Sequence, residues 1–111
     1  MRGHPTPTYD LAELQAKVTH GHVQVTVRAL RDAGAMGFDQ IDIFECVCSL
    51  TYTNFYKTMP SETVNGVFQD VYKTRWCGVP IYTKLTYGDA RKTVVISFHN
   101  DKSANPGGGK S

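Results

Sequence analysis

The sequence has little of what membrane-bound and disulfide-stabilised proteins need. Its 111 residues contain no apolar run long enough to span a membrane, and the first seven residues lack the apolar core of a signal peptide. It has only three cysteines, Cys46, Cys48 and Cys77, and an odd number argues against a disulfide framework and for a reducing compartment. We therefore expect a cytoplasmic protein without a membrane partner.

Side-chain groups that hold metal ions or cofactors are also scarce. Cys46 and Cys48 form a C-x-C pair with no second pair to complete a zinc site, so we interpret the cysteines as structural thiols. His20 and His22 are only a weak metal signal. Neither an acidic pair for acid–base catalysis nor a glycine-rich phosphate loop is present. The sequence thus predicts no metal site and no cofactor.

The composition is that of one ordinary globular domain, with 41% apolar and 20% charged residues. The net charge is only +2, but it is unevenly distributed. Acidic residues outnumber cations up to Tyr56, whereas from Lys57 to Lys102 seven cations face four carboxylates. This asymmetry predicts one anion-binding surface in the C-terminal half.

Apolar residues recur at helical spacing in three segments of the first half, near residues 11–20, 27–36 and 41–48. Thr8 or Asp10 is placed to cap the first helix, and Thr26 caps the second. Residues 22–25 between them form a short extended link. The third segment is open to a second interpretation, because the alternation of Ile41 and Ile43 also fits the start of a strand.

After Pro60 the pattern changes to the alternation of β-strands. Three runs, 66–73, 79–87 and 92–99, are rich in Val, Ile, Thr, Tyr and Phe. They predict an antiparallel meander, and hence an α+β fold in which N-terminal helices pack on a C-terminal antiparallel sheet. We expect residues 1–99 to form this single domain and residues 100–111 to form a flexible tail.

Strand alternation also assigns individual side chains to the two faces of the sheet. Tyr82 and Lys84 share the polar face of their strand, and His99 lies on the polar face of the last one. In that last strand the alternation predicts three core side chains: Val94, Ile96 and Phe98.

The segment after Tyr56 carries cations, an amide and a phenol, which suit a phosphodiester substrate: Lys57, Gln69, Lys73, Arg75, Tyr82 and Lys84. RNA is cut without metal when the ribose 2′-hydroxyl attacks the neighbouring phosphorus, which requires a base, an acid and donors for the extra charge. We place Lys57 on a loop. It acts as a base only if its pKa lies far below the usual value of roughly 10.4, and otherwise as an electrostatic clamp.

Four segments of this chain resemble the MqsR family of toxins: Phe55–Met59, Phe68–Lys73, Ile81–Leu85 and Val95–Phe98. The resemblance covers residues 4–99. It implies a fold related to the RelE toxins and a metal-independent endoribonuclease of a type II toxin–antitoxin system. Such toxins cut mRNA at short, GCU-containing sequences without the ribosome. It also implies a cognate antitoxin with a zinc-binding part and a helix-turn-helix part.

By the same resemblance, the implicated family positions fall on Lys57, Gln69 and Tyr82. A family lysine directly after the Ser-Phe of the last strand is replaced by His99, which can still donate a proton or carry charge near neutral pH. We predict that these four residues are catalytic. The remaining cations of the set are predicted to bind RNA: Lys73, Arg75 and Lys84.

Explanations without catalysis remain open at this point, since cations on edge strands also prevent the edges from pairing with other chains. The chain could be a non-catalytic module whose basic sheet face binds RNA or an acidic partner. It could also be a degenerate toxin that binds its antitoxin but no longer cuts, with position 99 as the altered site. Detection of cleaved RNA ends distinguishes an active endoribonuclease from these two alternatives.

Overall fold

The computed structural model describes residues 6–103, and over this range three helices precede most of a five-stranded sheet. The helices are α1 (Leu11–Thr19), α2 (Val27–Ala35) and α3 (Gln40–Ser49). The strands are β1 (Val23–Val25), β2 (Phe55–Pro60), β3 (Phe68–Trp76), β4 (Val79–Tyr87) and β5 (Thr93–Asn100), in the spatial order β1-β5-β4-β3-β2. The predicted α+β fold is confirmed.

The helices begin where side chains satisfy their first free backbone N–H groups. The Asp10 carboxylate, rather than the Thr8 hydroxyl, caps α1, and the Thr26 hydroxyl caps α2. Asp39 and Asp42 form a reciprocal capping box at the start of α3. The ambiguous third segment is therefore a helix.

Two segments that we did not predict as strands belong to the sheet. Residues 23–25 form the edge strand β1, which pairs in parallel with β5, so the sheet is not a pure antiparallel meander. Lys57 lies on the opposite edge strand, β2, and not on a loop. Neither strand has a recognisable alternation of apolar and polar residues in the sequence. A three-residue strand shows no period, and a register shift between Phe55 and Lys57 interrupts the alternation of β2.

The predicted core side chains of the last strand were partly wrong. Phe98 is in the core, but Val95 takes the place expected for Val94 and Ile96, which are half-buried on the other face. The cause is a β-bulge at Ile96, where the pairing register with β4 shifts by one residue. A bulge reverses the alternation of faces on either side of it.

The helices cover one face of the sheet and build the core there with β3, β4 and β5. Its largest fully buried members include Tyr72, Phe98, Leu14, Ile43 and Ile81. The N-terminal lead-in is held to β3 by Asp70, whose carboxylate accepts hydrogen bonds from the backbone of Thr8 and Tyr9.

The sheet surface turned away from the helices is called the open face below. Strand register assigns these residues to it: Lys57, Gln69, Val71, Lys73, Arg75, Tyr82, Lys84, Ser97 and His99. No helix within residues 6–103 is long and apolar enough to cross a membrane. Strand β5 extends to Asn100, while residues 104–111 of the expected tail lie outside the described residues. The division at residue 99 stays a prediction.

Candidate functional site

One part of the open face is a pair of lysines on either side of Val71. Lys57 on β2 and Lys84 on β4 are the direct cross-strand neighbours of this residue, so their Cα atoms lie two strand spacings, roughly 10 Å, apart. Val71 is fully buried although it faces away from the helices, because surrounding side chains cover it. Across residues 6–103, no carboxylate forms a salt bridge with either lysine. Their charges are therefore available to an anionic ligand.

Next to this pair lies a connected group that we call the Tyr82 cluster: Tyr56, Lys57, Lys73, Tyr82 and His99. The Tyr82 and His99 rings are stacked, with centroids 4.9 Å apart and planes 21° apart. The Lys73 ammonium lies 3.9 Å from the Tyr56 ring centroid and 5.9 Å from that of Tyr82. Tyr56 also meets the edge of Tyr82 at 6.3 Å and the Lys57 ammonium at 5.5 Å. Tyr56 thus joins Lys57 to the stacked pair.

The stacked pair in the cluster combines an imidazole with a phenol. His99 Nδ1 is 3.0 Å from the carbonyl oxygen of Asn100, which can only accept, so Nδ1 carries the proton of the neutral ring. Nε2 then holds the lone pair and can take up a proton. Burial, helped by the neighbouring Tyr56 and Asp101, raises the pKa of Tyr82 above its ordinary value. The phenol therefore stays protonated at neutral pH.

Lys73 differs from Lys57 and Lys84 on the open face because it has a carboxylate partner. Its ammonium is 3.6 Å from Asp101 Oδ2 and donates a hydrogen bond to Ser103 Oγ at 3.1 Å. The backbone N–H and hydroxyl of Ser103 both donate to Asp101 Oδ1. Burial opposes the charge of Asp101, but these hydrogen bonds and the Lys73 ammonium together hold the pKa of Asp101 below its ordinary value. Lys73 is therefore largely neutralised in this structure.

A cleft of about 600 Å³ opens beside the stacked rings of Tyr82 and His99. Arg28 of α2 and the turn after β5 form its other walls. The sequence did not predict Tyr56, Arg28 or Asp101 as part of the site. Tyr56 adjoins Lys57 and could have been included, whereas Arg28 and Asp101 come from a helix and a predicted tail that carried no chemical signal.

Gln69 and Arg75 lie on the open face but outside the Tyr82 cluster. Gln69 precedes Lys73 by four residues on β3, which separates their Cα atoms by roughly 13 Å. It makes none of the cluster contacts and lines a different cavity. Arg75 lies opposite Pro80 at the other end of the strand and donates to the carbonyl of Gly78 at 2.9 Å. The structure therefore brings together Lys57, Lys73, Tyr82 and His99.

Metal-binding side chains are not grouped anywhere in the described part of the chain. Among residues 6–103, no group of three or more His, Cys, Asp or Glu residues is arranged to hold an ion. His20 and His22 make separate hydrogen bonds, to the carbonyls of Ala16 and Ala90 respectively. All three cysteines are free thiols. The polar groups of the open face include cations, an amide, a phenol and an imidazole.

Comparison with known proteins identifies the family of this chain. Residues 6–100 match the family model described as "Motility quorum-sensing regulator, toxin of MqsA". The mRNA interferase toxin MqsR of Escherichia coli (strain K12) is 29% identical over 93 residues, which are 84% of this chain and 93% of that protein. Every predicted site residue lies inside the segment that matches the family model. This chain belongs to the MqsR toxin family.

Proposed function

We propose that this protein cuts single-stranded mRNA at the Tyr82 cluster, without a metal ion, by attack of the ribose 2′-hydroxyl on the adjacent phosphate. The general function follows from the family. The chain is a toxin with an mRNA-cleaving role, since its E. coli relative is named an mRNA interferase and the family is described by its antitoxin, MqsA. The observation that carries the chemical proposal is the stack of Tyr82 on His99 beside the Lys73 ammonium.

In the proposed reaction His99 Nε2 takes the 2′ proton as the 2′ oxygen attacks phosphorus. The bond from phosphorus to the 5′ oxygen breaks, and the Tyr82 hydroxyl gives its proton to that leaving oxygen. The products are a 2′,3′-cyclic phosphate and a free 5′-hydroxyl. The geometry supports these roles because the imidazole and phenol rings are stacked on the same face, and the phenol is protonated at neutral pH.

Of the two unpaired lysines, Lys57 stabilises the charge that accumulates at phosphorus. Lys57 contacts the cluster through Tyr56 and is exposed, so it acts through its charge in the transition state. Lys84, across Val71 from Lys57, and Arg75, at the far end of β3, extend the positive surface along the strands. We assign these two to holding RNA phosphates.

The first test is cleavage of a single-stranded RNA by the purified protein in excess EDTA. We expect cutting to continue, and we expect no cutting when the nucleotide 5′ to the scissile phosphate is 2′-deoxy. Loss of activity on chelation that Mg²⁺ or Zn²⁺ restores would contradict the mechanism. RNA that is bound but never cut would favour the non-catalytic module instead.

Substitutions distinguish chemistry from RNA binding. Lys57→Ala should lower the rate at saturating RNA at least tenfold, or about 1.4 kcal/mol. Lys84→Ala and Arg75→Ala should mainly weaken binding, with a smaller salt dependence. Lys17→Ala is the matched control, because Lys17 lies on α1, away from the open face. An equal loss in the Lys17 and Lys57 variants would show that only net charge matters.

His99 is tested by two replacements. His99→Ala removes the proposed base and should lower the saturating rate at least tenfold. His99→Lys should recover activity only at high pH, where an amine begins to lose its proton and can act as a base. If His99→Ala cuts like the wild type over the whole pH range, His99 is a bystander.

The resemblance to the MqsR family also supports a compartment, a cleavage sequence and a partner, and these are part of the proposal. The toxin would act in the cytoplasm on short, GCU-containing sequences, independently of the ribosome. A cognate antitoxin with a zinc-binding part and a helix-turn-helix part would neutralise it. Primer extension on cleaved transcripts tests the sequence preference. Co-purification of the toxin with the product of an adjacent gene, and zinc analysis of that complex, test the partner.

A further inference from the structure

Another cavity, of about 530 Å³, opens on the sheet beside Gln69, away from the stacked rings of Tyr82 and His99. Its apolar lining comes from both sides: Val64 and Val67 from the loop after β2, and Val94 and Ile96 from β5. The last two are the residues that the β-bulge turns away from the core. Val64 is 53% exposed, so this apolar surface is open to solvent.

The loop that forms one wall, residues 61–67, is held in shape by its own hydrogen bonds. The Ser61 backbone N–H donates to the Val67 carbonyl at 2.7 Å and closes the loop at its base. The Ser61 hydroxyl accepts from the backbone N–H groups of Thr63 and Val64. The wall is therefore organised without a ligand.

Polar side chains also line this cavity: Thr26, Ser61, Thr63, Gln69, Thr86 and Asp89. Among them, Gln69 has a buried atom without a hydrogen-bond partner. The residue is only 7% exposed, and its Oε1 is enclosed without a hydrogen-bond partner in the described structure. Buried amide groups are nearly always paired, because their lost hydration must be compensated. A ligand that presents a hydrogen-bond donor to this oxygen would satisfy it.

The cavity is also placed correctly for a nucleotide next to the cut. Gln69 and Lys73 lie on the same face of β3, roughly 13 Å apart. Lys57, on the neighbouring strand, lies opposite Val71, midway between them. An extended RNA strand whose scissile phosphate lies at the Tyr82 cluster can therefore pass over Lys57 and reach the cavity.

We propose that this cavity is a nucleobase pocket that selects the cleavage sequence, with Gln69 reading the edge of the base. The flat faces of the base lie against the apolar walls from Val64 and Ile96. The amide, which offers a donor and an acceptor side by side, distinguishes bases by their hydrogen-bond pattern. This inference rests on the proposed function and deepens it. It makes Gln69 a specificity residue, in place of the catalytic role implied by the resemblance.

Binding is tested without cleavage, using the four nucleoside 5′-monophosphates and the isotope-labelled protein. We expect one of the four to shift the Gln69 side-chain amide signal and the Val64 and Val67 methyl signals more than the others. Gln69→Leu should abolish this preference, whereas the matched control Gln24→Leu, at an exposed position on β1, should retain it. No shift at these signals, or equal shifts with all four nucleotides, would overturn the pocket.

Cleavage kinetics give a second and independent readout. RNA substrates are varied one base at a time around the cut and are compared between wild type and Gln69→Leu. We expect preference at one position to fall roughly tenfold through a higher KM for the best substrate, with kcat unchanged. Val64→Asp, at an exposed position and thus safe for folding, should also raise that KM. A common fall in kcat on every substrate would instead make Gln69 catalytic.

The two readouts keep this inference distinguishable from the proposed function. If the protein cuts no RNA but one nucleotide shifts the Gln69 signals selectively, the pocket stands and the nuclease proposal fails. If RNA is cut and Gln69→Leu leaves the sequence preference intact, the nuclease proposal stands and the pocket fails.

Discussion

Replacement of Tyr82 by phenylalanine isolates the phenolic hydroxyl from everything else that this side chain does. The ring would keep its stack on His99 at 4.9 Å and its edge contact with Tyr56. The hydroxyl donates to no group in residues 6–103, so its loss breaks no internal hydrogen bond. We expect the free energy of unfolding to change by less than about 0.5 kcal/mol.

The effect on cleavage should be much larger than the effect on stability. A positioned acid or base typically contributes roughly 10²- to 10⁴-fold to a rate. We expect Tyr82→Phe to lower the cleavage rate at least tenfold, which corresponds to about 1.4 kcal/mol of transition-state stabilisation. The assay is a single-turnover time course with end-labelled RNA at saturating protein, with urea unfolding of each variant in parallel.

Tyr56→Phe is the matched control, because the Tyr56 ring makes the cation–π contact with Lys73 whether or not it has a hydroxyl. It should cut close to the wild-type rate. The pKa of Tyr82 is raised, so the acid form, and the activity that depends on it, should persist up to at least about pH 10 and be lost above it. A Tyr82→Phe variant within threefold of the wild type would refute the assignment, and another group would then protonate the leaving oxygen.

The other predictions concern three buried groups. Asp101→Asn should free the Lys73 ammonium to bind an RNA phosphate. An uncleavable 2′-deoxy RNA should then bind more tightly, and the slope of its log affinity against log salt concentration should steepen by about one released ion. Unchanged affinities in fluorescence anisotropy titrations would contradict this. Because the pKa of Asp101 is lowered, its pairing should hold at neutral pH, persist through about pH 4 and be lost only as pH falls through the lowered pKa. Asp70→Ala removes two hydrogen bonds from backbone N–H groups to a carboxylate and should cost about 2–4 kcal/mol of stability in urea unfolding; a loss below about 1 kcal/mol would show that the lead-in is held otherwise. Burial raises the pKa of Cys46 to about 12, so mass spectrometry after iodoacetamide at pH 8 should find it unmodified while the two exposed cysteines react.

The sequence by itself determined the features that depend on a few neighbouring residues. Thr26 caps α2 because a short polar side chain satisfies a backbone N–H three positions ahead. For α1 the same rule narrowed the cap to Thr8 or Asp10, and the structure selects Asp10. Tyr82 and Lys84 share a face because strand alternation has a period of two. The family could also be recognised from short segments, without knowledge of how they pair.

Only the tertiary structure decided which of these segments meet. The parallel pairing of β1, the position of Lys57 on an edge strand, and the salt bridge from Lys73 to Asp101 all join residues far apart in the chain. The bulge at Ile96 is the clearest case, since one extra residue reverses the faces of the strand. Its position depends on pairing with β4, which local composition does not encode. For the same reason the separation of Gln69 from the Tyr82 cluster emerges only when the register of β2, β3 and β4 is known.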